Sequence, residues 1–301
     1  MSDAASHSIG ASIAMLLCCA TPASAQPVDK ATLEKSAKSG DAAAQNELGF
    51  LLQTSGKDKD RRQARLWFKR AMDGGDTEAK NNYATMLALG IGGPTDAPEA
   101  KRLREEAAAE GSEGANLTIA EYYLAGGNGY PRDPNKAFAA VVAAAESSSS
   151  SYNRHCYAQW RAGMMVLQGI GTAKDSATAY RWVKRSADNG CVNGMISAAV
   201  MLATGDGVAE DDVTAREFYS KASESGDQQF AHALRGLAGM LLDGEGGPVD
   251  TARGIAYLLI AKAAGDENAG TLLDRYEPKL TADLRAQAIS ISNQWAAEHL
   301  K

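Results

Sequence analysis

Residues 169–182 read Gly169-Ile170-Gly171-Thr172-Ala173-Lys174-Asp175-Ser176-Ala177-Thr178-Ala179-Tyr180-Arg181-Trp182. A glycine pair leads to an Asp, the Asp to a small residue four positions on, and that residue to an aromatic ring. The Asp-to-small step recurs at Asp60/Ala64, Asp96/Ala100, Asp133/Ala137, Asp175/Ala179, Asp211/Ala215 and Asp250/Gly254. Seven residues beyond each small residue stands another: Ala71, Ala107, Ala144, Ser186, Ala222 and Ala261. Four further on come Gly75, Gly111, Gly190, Gly226 and Gly265, with Ser148 in the third unit. A phrase repeating at this interval is the mark of stacked helical pairs, which makes the expected fold all-α.

Each phrase is preceded by a first helix with its own signature. A small residue opens it (Ala44, Ala79, Ala115, Ala158, Gly194, Ala233, and Ala269 in a truncated seventh unit), because closely crossing helices leave no room for a branched chain. Leu48, Tyr83, Ile119, Ala162, Ala198 and Leu237 follow four later. The pairs Leu51-Leu52, Met86-Leu87, Tyr122-Tyr123, Met165-Val166, Met201-Leu202 and Met240-Leu241 come next. These offsets share one helix face. Glycine-rich turns such as Gly90-Ile91-Gly92-Gly93 and Gly244-Glu245-Gly246-Gly247 then end the first helix. The recurrent Asp is expected to cap the second helix, with Pro134 suited to the first helical position after Asp133. Trp67, Leu103, Ala140, Trp182, Phe218 and Tyr257 are expected as core anchors of the second helices. Two places deviate: the first turn is Thr54-Ser55-Gly56-Lys57, and a serine run at 147–151 joins the third and fourth units in what we read as a looser connection. Residues 281–300 are read as a terminal amphipathic helix, capped by Thr281, that covers the last apolar face with Leu284, Ala288, Ile291 and Trp295.

The 301-residue chain is 45% hydrophobic and carries a net charge of −6, or −5 without residues 1–25. That hydrophobic fraction fits an ordered protein. Both charge signs are interspersed along the helices, so nucleic acid is not an expected partner. Residues 1–25 read as a secretory signal, with an apolar core at 9–20 and Ala23-Ser24-Ala25 as the cleavage site before Gln26, although no Lys or Arg precedes the core. Periplasmic or secreted location follows, with an uncleaved or cytosolic chain as the alternative. No later run reaches the ~20 apolar residues of a membrane span. The expected organisation is a signal at 1–25, a lead-in at 26–36, a solenoid at 37–270 and a capping helix at 271–301.

The phrases Ala-x-x-x-Leu-Gly-x-x-Leu at 44–52, Gly-Ile-Gly-x-x-x-Asp at 169–175 and Asp-x-x-x-Ala-x-x-Trp at 175–182 resemble the Sel-one-like repeat, a relative of the tetratricopeptide repeat. The resemblance covers about residues 37–270. It implies an α-α superhelix, a right-handed solenoid of about six antiparallel helix pairs, and an adaptor or scaffold role in bacterial envelope or signalling assemblies. It supplies no shared catalytic residue. Some cysteine-rich members are linked to penicillin binding or hydrolysis, but the regular paired cysteines of those members are missing here.

Local chemistry points the same way. The Gly-x-Gly turns follow helices, not strands, and keep step with the repeats, which reads as turn geometry and not as a phosphate cradle. His7, His155, His232 and His299 have no ligand spacing, and neither a Gly-x-Ser-x-Gly elbow nor a Ser-x-x-Lys motif occurs. No cofactor, metal or catalytic set is therefore expected. Cys156 and Cys191 remain after the signal, either bridged or as two structural thiols. The expected function is an exported scaffold gripping a protein or peptide in a groove lined mainly by first helices, with Asn46, Asn81, Asn116 and Trp160 as lining candidates. An envelope enzyme acting on cell-wall or β-lactam substrates and a cytosolic regulatory adaptor are the alternatives.

Overall fold

The computed structural model describes residues 30–147, 152–225 and 229–299, and of 152–154 the backbone alone. The signal at 1–25, most of the serine run and Gly226 lie outside the described residues. Within them the chain is helical: α1 (Lys30–Lys38), α2 (Ala42–Thr54), α3 (Asp58–Asp73), α4 (Thr77–Leu89), α5 (Ala97–Ala109), α6 (Glu113–Ala125), α7 (Pro134–Glu146) and α8 (Tyr152–Gln168). There follow α9 (Ser176–Asp188), α10 (Val192–Thr204), α11 (Asp212–Ser223), α12 (Phe230–Asp243), α13 (Thr251–Ala263), α14 (Glu267–Tyr276) and α15 (Ala282–His299). The all-α expectation holds. The chain forms two compact units, one of residues 1–159 with 170–172, the other of 160–169 with 173–301.

In the first unit, α2 packs on α3, α4 on α5 and α6 on α7, and the first helices α4 and α6 also meet. The small residues explain this closeness: Ala64, Ala71, Ala79, Ala115, Ala137 and Ala144 are fully buried. The expected anchors need a correction. Trp67 and Ala140 are only half-buried, and full burial falls one residue later, on Phe68 and Val141. Offsets of 0, 4 and 7 from Ala64 make one stripe, and an offset of 3 lies off its centre. In the second repeat Leu103 is buried as expected, but so is its neighbour Arg104 at 1% exposure. The Arg104 guanidinium donates to Asn81 Oδ1 (3.3 Å) and Thr85 Oγ1 (3.2 Å) and lies 5.0 Å from the Tyr122 ring centre. Burial draws its pKa below the usual arginine value.

From the lead-in onward α1 packs on α2 through Leu33, Ala37, Ala44 and Leu48. Its register is that of a second helix. Leu33 and Ser36 stand where Phe68 and Ala71 stand one repeat later, and Gly40 follows Ser36 by the usual four.

In the second unit α10 packs on α11, α12 on α13, and α15 against α13. Val183, Tyr219 and Leu258 take the buried anchor position; Phe218 is buried as expected, while Trp182 and Tyr257 are half-buried. Gly194 has no alternative, since a Cβ there would sit 2.6 Å from the Ala187 backbone nitrogen. The last helix caps as expected: Thr281 Oγ1 accepts from the Leu284 amide (3.2 Å), Ala288 and Trp295 are buried, and Trp295 stacks on Phe230 at 5.6 Å.

Helix starts follow a stricter rule than the one expected. Asp96, Asp133, Asp175, Asp211 and Asp250 cap second helices through backbone amides. Asp60 does not: α3 begins earlier, at Asp58, and Asp60 accepts from the Ser55 hydroxyl (2.7 Å). A second series, absent from the sequence reading, caps first helices: Asp41, Asp76, Ser112 and Asp266.

Candidate functional site

Each unit holds a groove, and both grooves are built from the same repeat positions. In the first unit the floor is Leu48 and Leu52 of α2 and the walls are α1 and α3, with Glu34, Lys38, Gln63, Leu66, Trp67 and Arg70 around a cavity of about 360 Å³. In the second unit Leu237 and Leu241 of α12 form the floor. Val213, Arg216, Glu217 and Ser220 of α11, Gly246 of the turn, and Arg253 and Tyr257 of α13 enclose about 340 Å³. Leu48, Leu52 and Trp67 correspond in register to Leu237, Leu241 and Tyr257. The anchor position that fails to bury fully is therefore the one that furnishes an aromatic wall.

The polar groups around these walls are not equivalent. In the first groove the Arg70 guanidinium lies over the Trp67 ring at 4.8 Å, and Lys38 pairs with Glu34 at 3.6 Å. In the second, Arg253 pairs with Asp250 at 3.5 Å, and Arg216 donates to the Pro248 carbonyl at 3.3 Å. Arg65, at the register of Arg216, likewise donates to the Pro94 carbonyl at 2.8 Å, so this position clamps one repeat to the turn of the next. Burial pushes the Tyr257 phenol above its usual value, which keeps it a neutral hydroxyl. Leu66 and Val213 leave 58% of their surfaces exposed on the rims.

The expected lining residues are dispersed. Asn81 and Asn116 are buried and do not face a groove: Asn81 accepts from Arg104, and the Asn116 amide donates to the Ser112 carbonyl at 3.0 Å. Asn46 is half-buried and accepts from the Asn82 amide (2.8 Å); Trp160 is half-buried and donates from its indole to Ser197 Oγ (3.0 Å). In these two grooves second helices supply the walls and first helices the floor. Sequence reading missed Arg70 and Leu66, although an Arg three residues after an aromatic was visible at Trp67/Arg70 and Trp182/Arg185. Cys156 is buried within α8 of the first unit, and Cys191 is half-buried at the start of α10 in the second. Among the described residues no three His, Cys, Asp or Glu side chains gather in a metal-binding group, and no helix is long and apolar enough to cross a membrane.

The Sel1 repeat profile matches residues 42–76, 77–112, 116–139, 156–191, 193–227 and 231–266. The Sel1-repeat-containing protein YjcO of Escherichia coli (strain K12) is 32% identical over 154 residues, covering 50% of this chain and 63% of that relative. The chain thus spans less than two thirds of that relative's length. Among solved structures, a protective antigen of uropathogenic Escherichia coli strains with an SLR fold aligns at a TM-score of 0.64 and 23% identity, covering 88% of this chain and 63% of the antigen. A Sel1 repeat protein from Oxalobacter formigenes aligns at 0.62 and 23%, covering 75% of this chain and 89% of the other. Both likenesses concern the fold. The matched stretches fall on the successive helix pairs, and the chain belongs to the Sel1 repeat family, whose members generally mediate protein–protein interaction.

Proposed function

We propose that this protein is an exported scaffold whose grooves hold a protein or peptide partner. One observation carries the reading: the same register of the repeat opens a groove in each unit, with a Leu-Leu floor and a half-buried aromatic wall. Such recesses suit large side chains of a partner, because an aromatic ring offers wide contact area at little entropic cost. The small residues, caps and turns of the remaining positions serve helix packing. Export is supported by the apolar run at 9–20 and the Ala23-Ser24-Ala25 site.

A photo-reactive amino acid placed at Leu66 or Val213 in the living host tests the scaffold reading, with Ile289 on the terminal helix as control. Discrete protein adducts from the groove positions and none from the control are expected. Absence of adducts at both grooves overturns it. Amino-terminal sequencing of the envelope fraction tests export: a chain beginning at Gln26 is expected, and an uncleaved chain confined to the cytosol overturns that part.

A further inference from the structure

The two grooves sit in different charge settings, and the difference specifies what the first one takes. Between residues 30 and 73 the chain carries ten Lys and Arg against six Asp and Glu, a net charge of +4 within a chain of −6. These residues form α1, α2 and α3, the three elements of the first groove. Several of the cations are matched locally: Lys38 by Glu34, Arg61 by Asp58 and Lys69 by Asp73. Arg70 is not. Among the described residues no carboxylate lies within ion-pair distance of it, and its guanidinium rests on the Trp67 ring, exposed to solvent. In the second groove Arg253 has Asp250 and Arg216 has the turn carbonyls.

A guanidinium held face-on to an indole keeps its N–H edge free to donate to a carboxylate, in one or two parallel bonds. Arg70 lines the same cavity as the Leu48 and Leu52 floor. We propose that the groove between α1, α2 and α3 binds an acidic peptide segment, placing a carboxylate on Arg70 and a neighbouring large apolar side chain against Trp67 and the floor. This inference rests on the scaffold reading and adds the partner's chemistry to it. A peptide is favoured over an anionic membrane because the apolar surface is recessed: Leu48 is 2% exposed and Trp67 half-buried, and of the lining residues Leu66 alone projects. Six interspersed carboxylates disfavour a phosphate backbone.

The test uses the full chain and two short fluorescent peptides that share Leu and Phe residues but carry either Glu or Lys between them. Fluorescence anisotropy should show binding of the Glu peptide, weaker at high salt, and none of the Lys peptide. Arg70→Glu should weaken the Glu peptide at least about tenfold, as loss of a charge-assisted hydrogen bond implies, and Trp67→Ala should weaken it as well. Arg285→Glu, on the terminal helix α15 and outside both grooves, should leave it unchanged. Circular dichroism of each variant confirms folding. Equal binding of the Lys peptide, no binding of the Glu peptide, or indifference to Arg70→Glu overturns the proposal. So does binding of phosphatidylglycerol vesicles without peptide binding, or self-association abolished by Arg70→Glu, which would seat a second copy there. If Leu66 cross-links a partner while the Glu peptide does not bind, the scaffold reading stands and the acidic specificity alone falls.

Discussion

Phe68 and Trp67 are neighbours in sequence with opposite duties. Phe68 has no exposed surface, whereas Trp67 keeps one face in the groove beneath Arg70. Truncating Phe68 to Ala should cost roughly 3–5 kcal/mol, the usual range for a buried aromatic. Trp67→Ala should cost less, since part of the ring already meets water. Urea denaturation of the two variants checks the order, and equal losses would return the anchor role to Trp67. The small residues of the stripe were legible because their spacing repeats. Three of the large ones, Trp67, Trp182 and Tyr257, were misassigned by one position because rings are ordinarily read as core, whereas Leu103 and Phe218 are buried as read. Arg104 was illegible for a different reason: a charge on a helix is taken for a solvated face, and only the positions of Asn81, Thr85 and Tyr122 show that it has company inside.

Helix boundaries depend on carboxylates and on turn glycines, and each makes a separate demand. Hydrogen bonds from the Thr178 hydroxyl and amide hold the Asp175 carboxyl below its usual range, and those from the Thr214 amide and hydroxyl do the same for Asp211. A carboxyl whose folded pKa is depressed binds fewer protons folded than unfolded. Its stabilisation is therefore complete above the unfolded value of about 3.9 and is lost as pH falls through the lower folded value. The double variant Asp175→Asn/Asp211→Asn keeps acceptors at both caps but removes the titration. Its thermal midpoint should fall less steeply than that of the parent protein as pH drops below about 4; parallel curves would refute the cap origin of the acid sensitivity. The turn at Gly90–Gly93 sets the other demand. Gly92 has φ +72°, and a Cβ there would meet the Arg61 carbonyl of the preceding repeat at 2.5 Å. Gly111 has φ +88° with nothing within 4 Å. Gly111→Ala should cost roughly 1–2 kcal/mol for the left-handed conformation alone, and Gly92→Ala a further 1–3 kcal/mol, on the order of an overpacked core. Equal losses in denaturant melts would mean that the turn does not need its close approach.

The array was readable from its period because each repeat states the same packing problem again. Six helix pairs were visible in this way, and the terminal helix was visible from its amphipathic pattern. The helix α1 was not, although Leu33, Ser36 and Gly40 carry half of the phrase, because a half repeat offers no second copy of itself for comparison. The grooves were less legible than the fold. They arise where three helices leave space, and the Asn residues that look polar and available in sequence are hydrogen-bonded inside, as Asn81 and Asn116 show. Repeats are often treated as interchangeable tiles, yet Arg104 ties three of its neighbours to particular places: Asn81 and Thr85 on α4 and Tyr122 on α6. Excising residues 113–147 would strip the ring from that cation and leave it against whatever helix took the vacancy. Shuffling or shortening this chain should thus be tolerated at its alanine-filled joints and punished at this one, which gives the second and third repeats a fixed order that their shared phrase would never disclose.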